Sequence, residues 1–159
     1  MTVMIIVILI TSLTTAISEE LFFRGFLMGY IENKANIYWG VIISSIIFSV
    51  VHLMNGTYNF RDLILIVMSL FIAGVCYGLL TIYYKTIWAA VVIHFLFDTT
   101  QLFNITTKQK NQSIMEYVYE SSNTLITGGQ YGSTVSIITM FSFVSMTLYL
   151  AFKIRIKNI

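Results

Sequence analysis

The sequence predicts an all-α fold, a polytopic bundle of about five transmembrane helices, on three observations. Of its 159 residues, 57% are hydrophobic and only 10% charged, whereas soluble domains carry roughly 45–50% apolar and about 25% charged residues. Mean hydropathy is +0.83, and apolar stretches long enough to cross a bilayer recur between short polar breaks. Proline is absent, so no apolar segment is obliged to break or kink. At this length the expectation is one domain over residues 1–159, without room for a second, soluble one.

The first span is read from Val3 to Tyr30, carries Glu19, Glu20 and Arg24, and ends in the polar stretch Glu32 to Asn36. A long membrane helix is expected here rather than a cleaved leader. No Lys or Arg precedes the apolar core Met4 to Ile10, and apolar character resumes at Leu21. The second span runs from Ile37 to Met54, and the cluster Asn55, Gly56, Asn59, Arg61, Asp62 forms a turn before the third, Leu63 to Tyr83. A tight turn at Tyr84 to Thr86 leads into the fourth, Ile87 to Phe103. The polar connection from Asn104 to Ser133 is expected to hold a short amphipathic surface helix near Ile114 to Val118, and the fifth span runs from Thr134 to Phe152. Gly29, Gly40, Gly74 and Gly78 read as points of close helix packing, and Trp39 and Trp88 as interfacial anchors.

Charge excludes one class of partner. A net charge of +2 with scattered basic residues offers no track for nucleic acid; the one dense basic stretch is Lys153, Arg155, Lys157. The single cysteine, Cys76, lies in an apolar run and reads as a small buried or lipid-facing residue. With five spans the termini lie on opposite sides. A cytoplasmic C-terminus collects Arg24, Lys34, Lys85, Lys153, Arg155 and Lys157 inside against Arg61, Lys108 and Lys110 outside. The positive-inside rule then predicts N-terminus out and C-terminus in. Three matches to the N-glycosylation pattern, at Asn55, Asn104 and Asn111, arise readily by chance in an Asn-rich chain and carry no weight.

The informative residues are polar ones inside spans. A charged side chain near the bilayer centre costs about 2.5–3.5 kcal/mol on insertion scales, so each needs a partner or a purpose. Glu20 and Arg24, four apart, share one helix face and can neutralise each other. Glu19 is turned by about 100° and lacks an obvious local counter-charge. His94 and Asp98 are also four apart, as are Phe48 and His52. Across the first hairpin, residues 19 and 52 are equidistant from 35.5, inside the Glu32 to Asn36 turn, so Glu19 and His52 should be level. Both lie about 16 residues from the apex, roughly 24 Å, read as deep in the membrane. Asp98 lies about 13 residues, about 20 Å, from the turn near Lys85 and can meet them if helices tilt.

A carboxylate, two histidines and a second carboxyl group thus converge on one cavity able to hold a water. Glu19 suits the role of general base, with His52 holding the water or shuttling its proton. His94 with Asp98 can donate to the oxyanion formed when a peptide carbonyl is attacked, when the donor atoms carry protons.

The stretches Glu19-Glu20-Leu21-Phe22-Phe23-Arg24, Phe48 to His52 and His94 to Asp98 resemble the three signature motifs of the CAAX prenyl protease and bacteriocin-processing (CPBP, or Abi) family: EExxxR, FxxxH, and HxxxN or HxxxD. They occur in order, each in an apolar segment, over a core of residues 19–98. The resemblance implies an all-helical intramembrane endopeptidase of a cell membrane, bacterial by composition, acting on a membrane-associated, prenylated or small secreted peptide. It implies Glu19 and His52 as the water-activating pair, His94 and Asp98 as oxyanion stabilisers, and Glu20, Arg24 and Phe48 as support. Such proteins are labelled metalloproteases or given a metal-free glutamate mechanism, so the cofactor is none or zinc, with Glu19, His52 and His94 the candidate ligands and no HExxH present. Asp98 stands where the prenyl-protease branch has Asn. An Asp donates only when protonated, and orienting His94 is its other role. The chain is short, with no span before the first motif, as a truncated or minimal member would be. Two other classes compete: a bacteriocin-immunity or binding protein that sequesters its partner, and a proton-coupled transporter, since buried Glu, His and Asp also build relays.

Overall fold

A computed structural model describes residues 2–55, 60–106, 115–118, 124–127 and 135–157. Gly56 and Asn59 of the expected turn, Lys108, Lys110 and most of the 104–133 connection lie outside the described residues.

The chain is a helical membrane bundle of about five helices, as its composition predicts. Four helices are long and apolar enough to cross a membrane: Thr2–Lys34, Ile37–Met54, Leu63–Tyr84 and Ile137–Ile156. The expected fourth span is shorter than read: α5 covers Trp88–Thr99, 12 residues, and continues as a 3-10 turn over Thr100–Leu102. At 1.5 Å per residue α5 is only about 18 Å long. Large apolar side chains that face outward, such as Val3, Ile10, Phe26, Ile138 and Phe141, suit a lipid surrounding.

The first long helix is not uniform. α1 (Thr2–Glu20) passes into a π-helical segment, Leu21–Leu27, and then α2 (Met28–Lys34). The Met28 amide donates to the Phe23 carbonyl five residues back, the wider turn of a π segment. With no proline nothing in the sequence forces a break here; the widening begins directly after Glu20 and includes Arg24, both charged and buried. Asn36 caps the next helix, α3 (Ile37–Val51), accepting from the Trp39 amide at 3.1 Å. α3 ends in a 3-10 turn, His52–Asn55.

α4 (Phe60–Tyr84) lies at the centre. Its buried residues Ile66, Ser69, Ala73, Cys76, Tyr77 and Leu80 recur at helical spacing. Small residues bring it close to α3. A Cβ on Gly74 would meet Ser45 at 3.0 Å and one on Gly78 would meet Val41 at 3.1 Å, while one on Gly40 would meet the Met28 carbonyl at 2.9 Å. Gly29 corrects the same reading: nothing lies within 4 Å of its would-be Cβ. The turn into α5 uses Lys85 in the left-handed region (φ 55°), and Thr86 Oγ1 accepts from the Trp88 amide at 3.3 Å. Trp39 and Trp88 are both exposed, and Cys76 is buried.

α7 (Ile137–Lys157) packs on α4 and α5 through Phe143, edge-on to Tyr77 and Phe97. Where described, the 104–133 connection holds two short strands, β1 (Phe103–Thr106) and β2 (Met115–Val118), paired in parallel with Phe103 opposite Met115, and a single turn, α6 (Thr124–Thr127). The surface helix expected near Ile114 to Val118 is therefore a strand over Met115–Val118. Backbone pairing with β1 outweighs the local amphipathic pattern there.

Candidate active site

Three helices bring the polar residues together at the end of the bundle away from the Ala35 and Lys85 turns. α1 supplies Glu19 and Glu20, the π segment Arg24, the 3-10 turn after α3 His52, and α5 both His94 and Asp98. Glu19, Glu20 and Arg24 lie midway along the first long apolar helix, Thr2–Lys34, while His52 is the first residue of the 3-10 turn that ends the second, Ile37–Met54.

The innermost layer is an ion-pair network. Arg24 Nη1 donates to Glu20 Oε1 at 2.9 Å, and Nη2 to the Gly74 carbonyl at 3.0 Å. Both side chains are wholly buried. The guanidinium carbon lies 4.6 Å from the Phe48 ring centroid and 5.2 Å from that of Tyr77, so aromatic faces receive the cation where water cannot. Glu20 also reaches across to α5: His94 Nδ1 donates to the same Oε1 at 2.9 Å. Sequence spacing predicted the Glu20–Arg24 pair and paired His94 with Asp98. The anchoring of His94 by Glu20 joins residues 74 positions apart and had no sequence signal.

The outer layer faces a shared space. His52 Nδ1 donates to the Phe48 carbonyl at 2.8 Å, one helical turn back. With both Nδ1 atoms held, each ring turns Nε2 toward Glu19. Glu19 Oε2 stands 3.5 Å from His52 Nε2 and 3.9 Å from His94 Nε2, and His94 Nε2 stands 3.7 Å from Asp98 Oδ2. These separations exceed a good hydrogen bond, and the nitrogens and carboxylate oxygens face one another closely enough to share a single water. Glu19 Oε2 is itself buried with no hydrogen-bond partner among the described residues. Side-chain exposure rises outward, from 6% at His94 to 18% at Asp98, 25% at Glu19 and 31% at His52, so the space opens on the His52 side.

Phe48 is the aromatic hub, edge-on to Phe23, Tyr77 and His94 and tilted over His52. Tyr77 was missed by sequence reasoning. Its signal is a phenol in mid-span, between Cys76 and Gly78, far from the interfaces where tyrosines gather.

The donor chemistry of Glu19, His52 and His94 suits zinc. Glu19 Oε2 stands 3.5 and 3.9 Å from the two Nε2 atoms, slightly wider than the about 3.3 Å between two ligands of a tetrahedral zinc. Among the described residues no group of three or more His, Cys, Asp and Glu side chains is gathered closely enough to form a ready metal site. The steps proposed below use the chain's own groups.

An apolar groove of about 420 Å³ runs between α5 and α7, walled by Ile93, Phe97, Phe143 and Met146, with Thr100, Thr139 and Ser142 also lining it. Phe97, on its wall, precedes Asp98 in the chain.

Residues 2–100 match the model of the Rce1-like family, type II CAAX prenyl endopeptidases. The chain belongs to this family. The matched stretch holds every polar residue of the cluster and ends beside Asp98. No curated protein and no solved structure matches the chain significantly. Membership in the Rce1-like family makes the chain an integral membrane protein of a protease family.

Proposed function

We propose that this Rce1-like chain is an intramembrane endopeptidase in which Glu19 and His52 activate a water for attack on a peptide bond. The observation that carries the reading is the orphaned Glu19 Oε2, buried and facing two imidazole nitrogens at 3.5 and 3.9 Å. A water between them donates to Glu19 and to His52 Nε2. Its oxygen attacks the peptide carbonyl carbon as Glu19 takes its proton. The carbon–nitrogen bond then breaks, and Glu19 returns that proton to the leaving nitrogen.

His94 Nδ1–H is committed to Glu20, so His94 donates to the oxyanion from Nε2 only with both nitrogens protonated. Asp98, at 3.7 Å, orients that nitrogen and balances its charge. Glu20, Arg24 and Phe48 hold the arrangement. The substrate class is a membrane-associated peptide, lipid-modified or small and secreted, whose apolar part lies in the groove between α5 and α7.

The test is cleavage of an internally quenched peptide ending in a farnesylated Cys-aliphatic-aliphatic-X sequence, with the protein in proteoliposomes. Glu19→Gln and His52→Ala should each lower kcat by about 10²–10⁴-fold. Parent-like rates in both variants overturn the mechanism. The competing classes have their own signatures: protection of cells that persists in Glu19→Gln marks a sequestering immunity protein, and proton flux that Glu19→Gln abolishes marks a transporter.

A further inference from the structure

His94 has to present Nε2 to Glu19 and Asp98 at the same time, and its hydrogen bond from Nδ1 to Glu20 does not by itself fix this. That bond pins a single ring atom and leaves the ring free to tilt about the Nδ1···Oε1 line. The tilt is stopped by Tyr77. Its ring lies parallel to that of His94, with centroids 4.9 Å apart and planes 16° from one another. The edge of Phe48 closes in at 6.1 Å, with planes at 77°.

Tyr77 is rigid enough for the task. It is 1% exposed, at the centre of the bundle. Phe143 stands edge-on to it at 5.7 Å, and the Arg24 guanidinium lies 5.2 Å from its ring centroid. One phenol ring therefore touches both groups that Glu20 binds, His94 and Arg24. It also contributes from α4, whereas the histidines facing Glu19 Oε2 come from the turn after α3 and from α5. An electron-rich face against His94 further stabilises that ring when it carries two protons.

We infer that Tyr77 is a positioning residue of this site, setting the plane of His94 and thereby the aim of its Nε2; the role in turnover rests on the proteolytic reading above. The flat ring is the working part, so Tyr77→Phe and Tyr77→Leu separate the role from simple bulk. On the farnesylated quenched peptide, Tyr77→Phe should keep kcat within about twofold of the parent, whereas Tyr77→Leu should lower it at least about tenfold, because a slight misplacement of a catalytic group costs orders of magnitude. KM should stay within about twofold in both, since Tyr77 is buried beneath the reacting groups.

The second readout does not depend on turnover: the ¹⁵N spectrum of the two histidine rings in detergent. His94 should give parent-like ring-nitrogen signals in Tyr77→Phe and shifted or averaged ones in Tyr77→Leu, with His52 unchanged as the internal control. A Tyr77→Leu variant with parent kcat and a parent His94 spectrum overturns the inference, as does one whose KM rises while kcat holds. Should the parent itself leave the peptide uncut, the proteolytic reading fails while the spectra still decide whether Tyr77 holds His94. Tyr77→Met, whose flexible thioether fills the same space, carries the same expectations if Tyr77→Leu does not fold.

Discussion

Glu20 and Arg24 show how a charge is kept inside a membrane helix. Oε1 of Glu20 accepts from both Arg24 and His94, and the guanidinium is shared among Glu20, the Gly74 carbonyl and two aromatic faces. Each side chain is wholly buried, so removing one leaves the other a buried charge without its opposite partner in this ion pair. Arg24→Met should therefore destabilise the protein by about 3–5 kcal/mol, measured as loss of resistance to chemical unfolding in detergent. Glu20→Gln keeps the shape and an acceptor oxygen but loses the charge-assisted bond to His94. Its expected effect is a fall in kcat larger than any change in KM, with Tyr77 still stacked on the imidazole. Asp98→Asn tests the other flank of His94. An Asn donates without needing a proton, so this variant should retain peptide cleavage, and loss of cleavage would show that the carboxylate itself is required.

Helix contacts depend on how closely backbones approach, and two glycines in the same hairpin make opposite predictions. At Gly40 a Cβ would stand 2.9 Å from the Met28 carbonyl, a backbone atom that cannot swing aside. Gly40→Ala should lower stability by about 1–3 kcal/mol. At Gly29 the space is open, and Gly29→Ala should be neutral or slightly stabilising, since alanine favours a helix by about 1 kcal/mol over glycine. Thermal unfolding of the two variants in one detergent separates them. The π segment belongs to this scale too. It begins at Leu21, directly after Glu20, so helix geometry changes at the junction that carries the site.

For the whole molecule, topology and the side of action are linked. His52 and Asp98 lie near the ends of α3 and α5 remote from the Ala35 and Lys85 turns, while Lys153, Arg155 and Lys157 lie in the last turns of α7, whose Leu150 belongs to the same core as Leu80. Arg24 is neutralised in the core and drops out of the charge comparison, leaving Lys34, Lys85 and the three C-terminal residues against Arg61, Lys108 and Lys110. That bias still favours a cytoplasmic C-terminus. Labelling of a cysteine introduced near Lys157 by a membrane-impermeant reagent in intact cells should then fail and succeed only after lysis. Labelling in intact cells would instead put the cluster at the cytoplasmic face, where lipid-modified proteins are anchored. A second whole-protein measurement is exhaustive chelation, which hydrolysis by side chains alone should survive; activity lost to a chelator and restored by zinc would require Glu19, His52 and His94 to close around a metal.

Bilayer burial was written into the sequence, because a hydrocarbon solvent demands long apolar runs whatever the packing. The Glu20–Arg24 pair and the meeting of Glu19 with His52 were legible for a related reason: helix rise and a short turn convert residue number into angle and depth. Neither rule reaches beyond neighbouring helices. The shortness of α5, the π segment, the strand over Met115–Val118, the Glu20–His94 bond and the Tyr77 stack were decided by tertiary structure alone, since each depends on a partner distant in the chain or on how tightly helices close around it. The sequence determined which groups are buried in the membrane, and the packing of α1, α4 and α5 decided which atom of each faces the others.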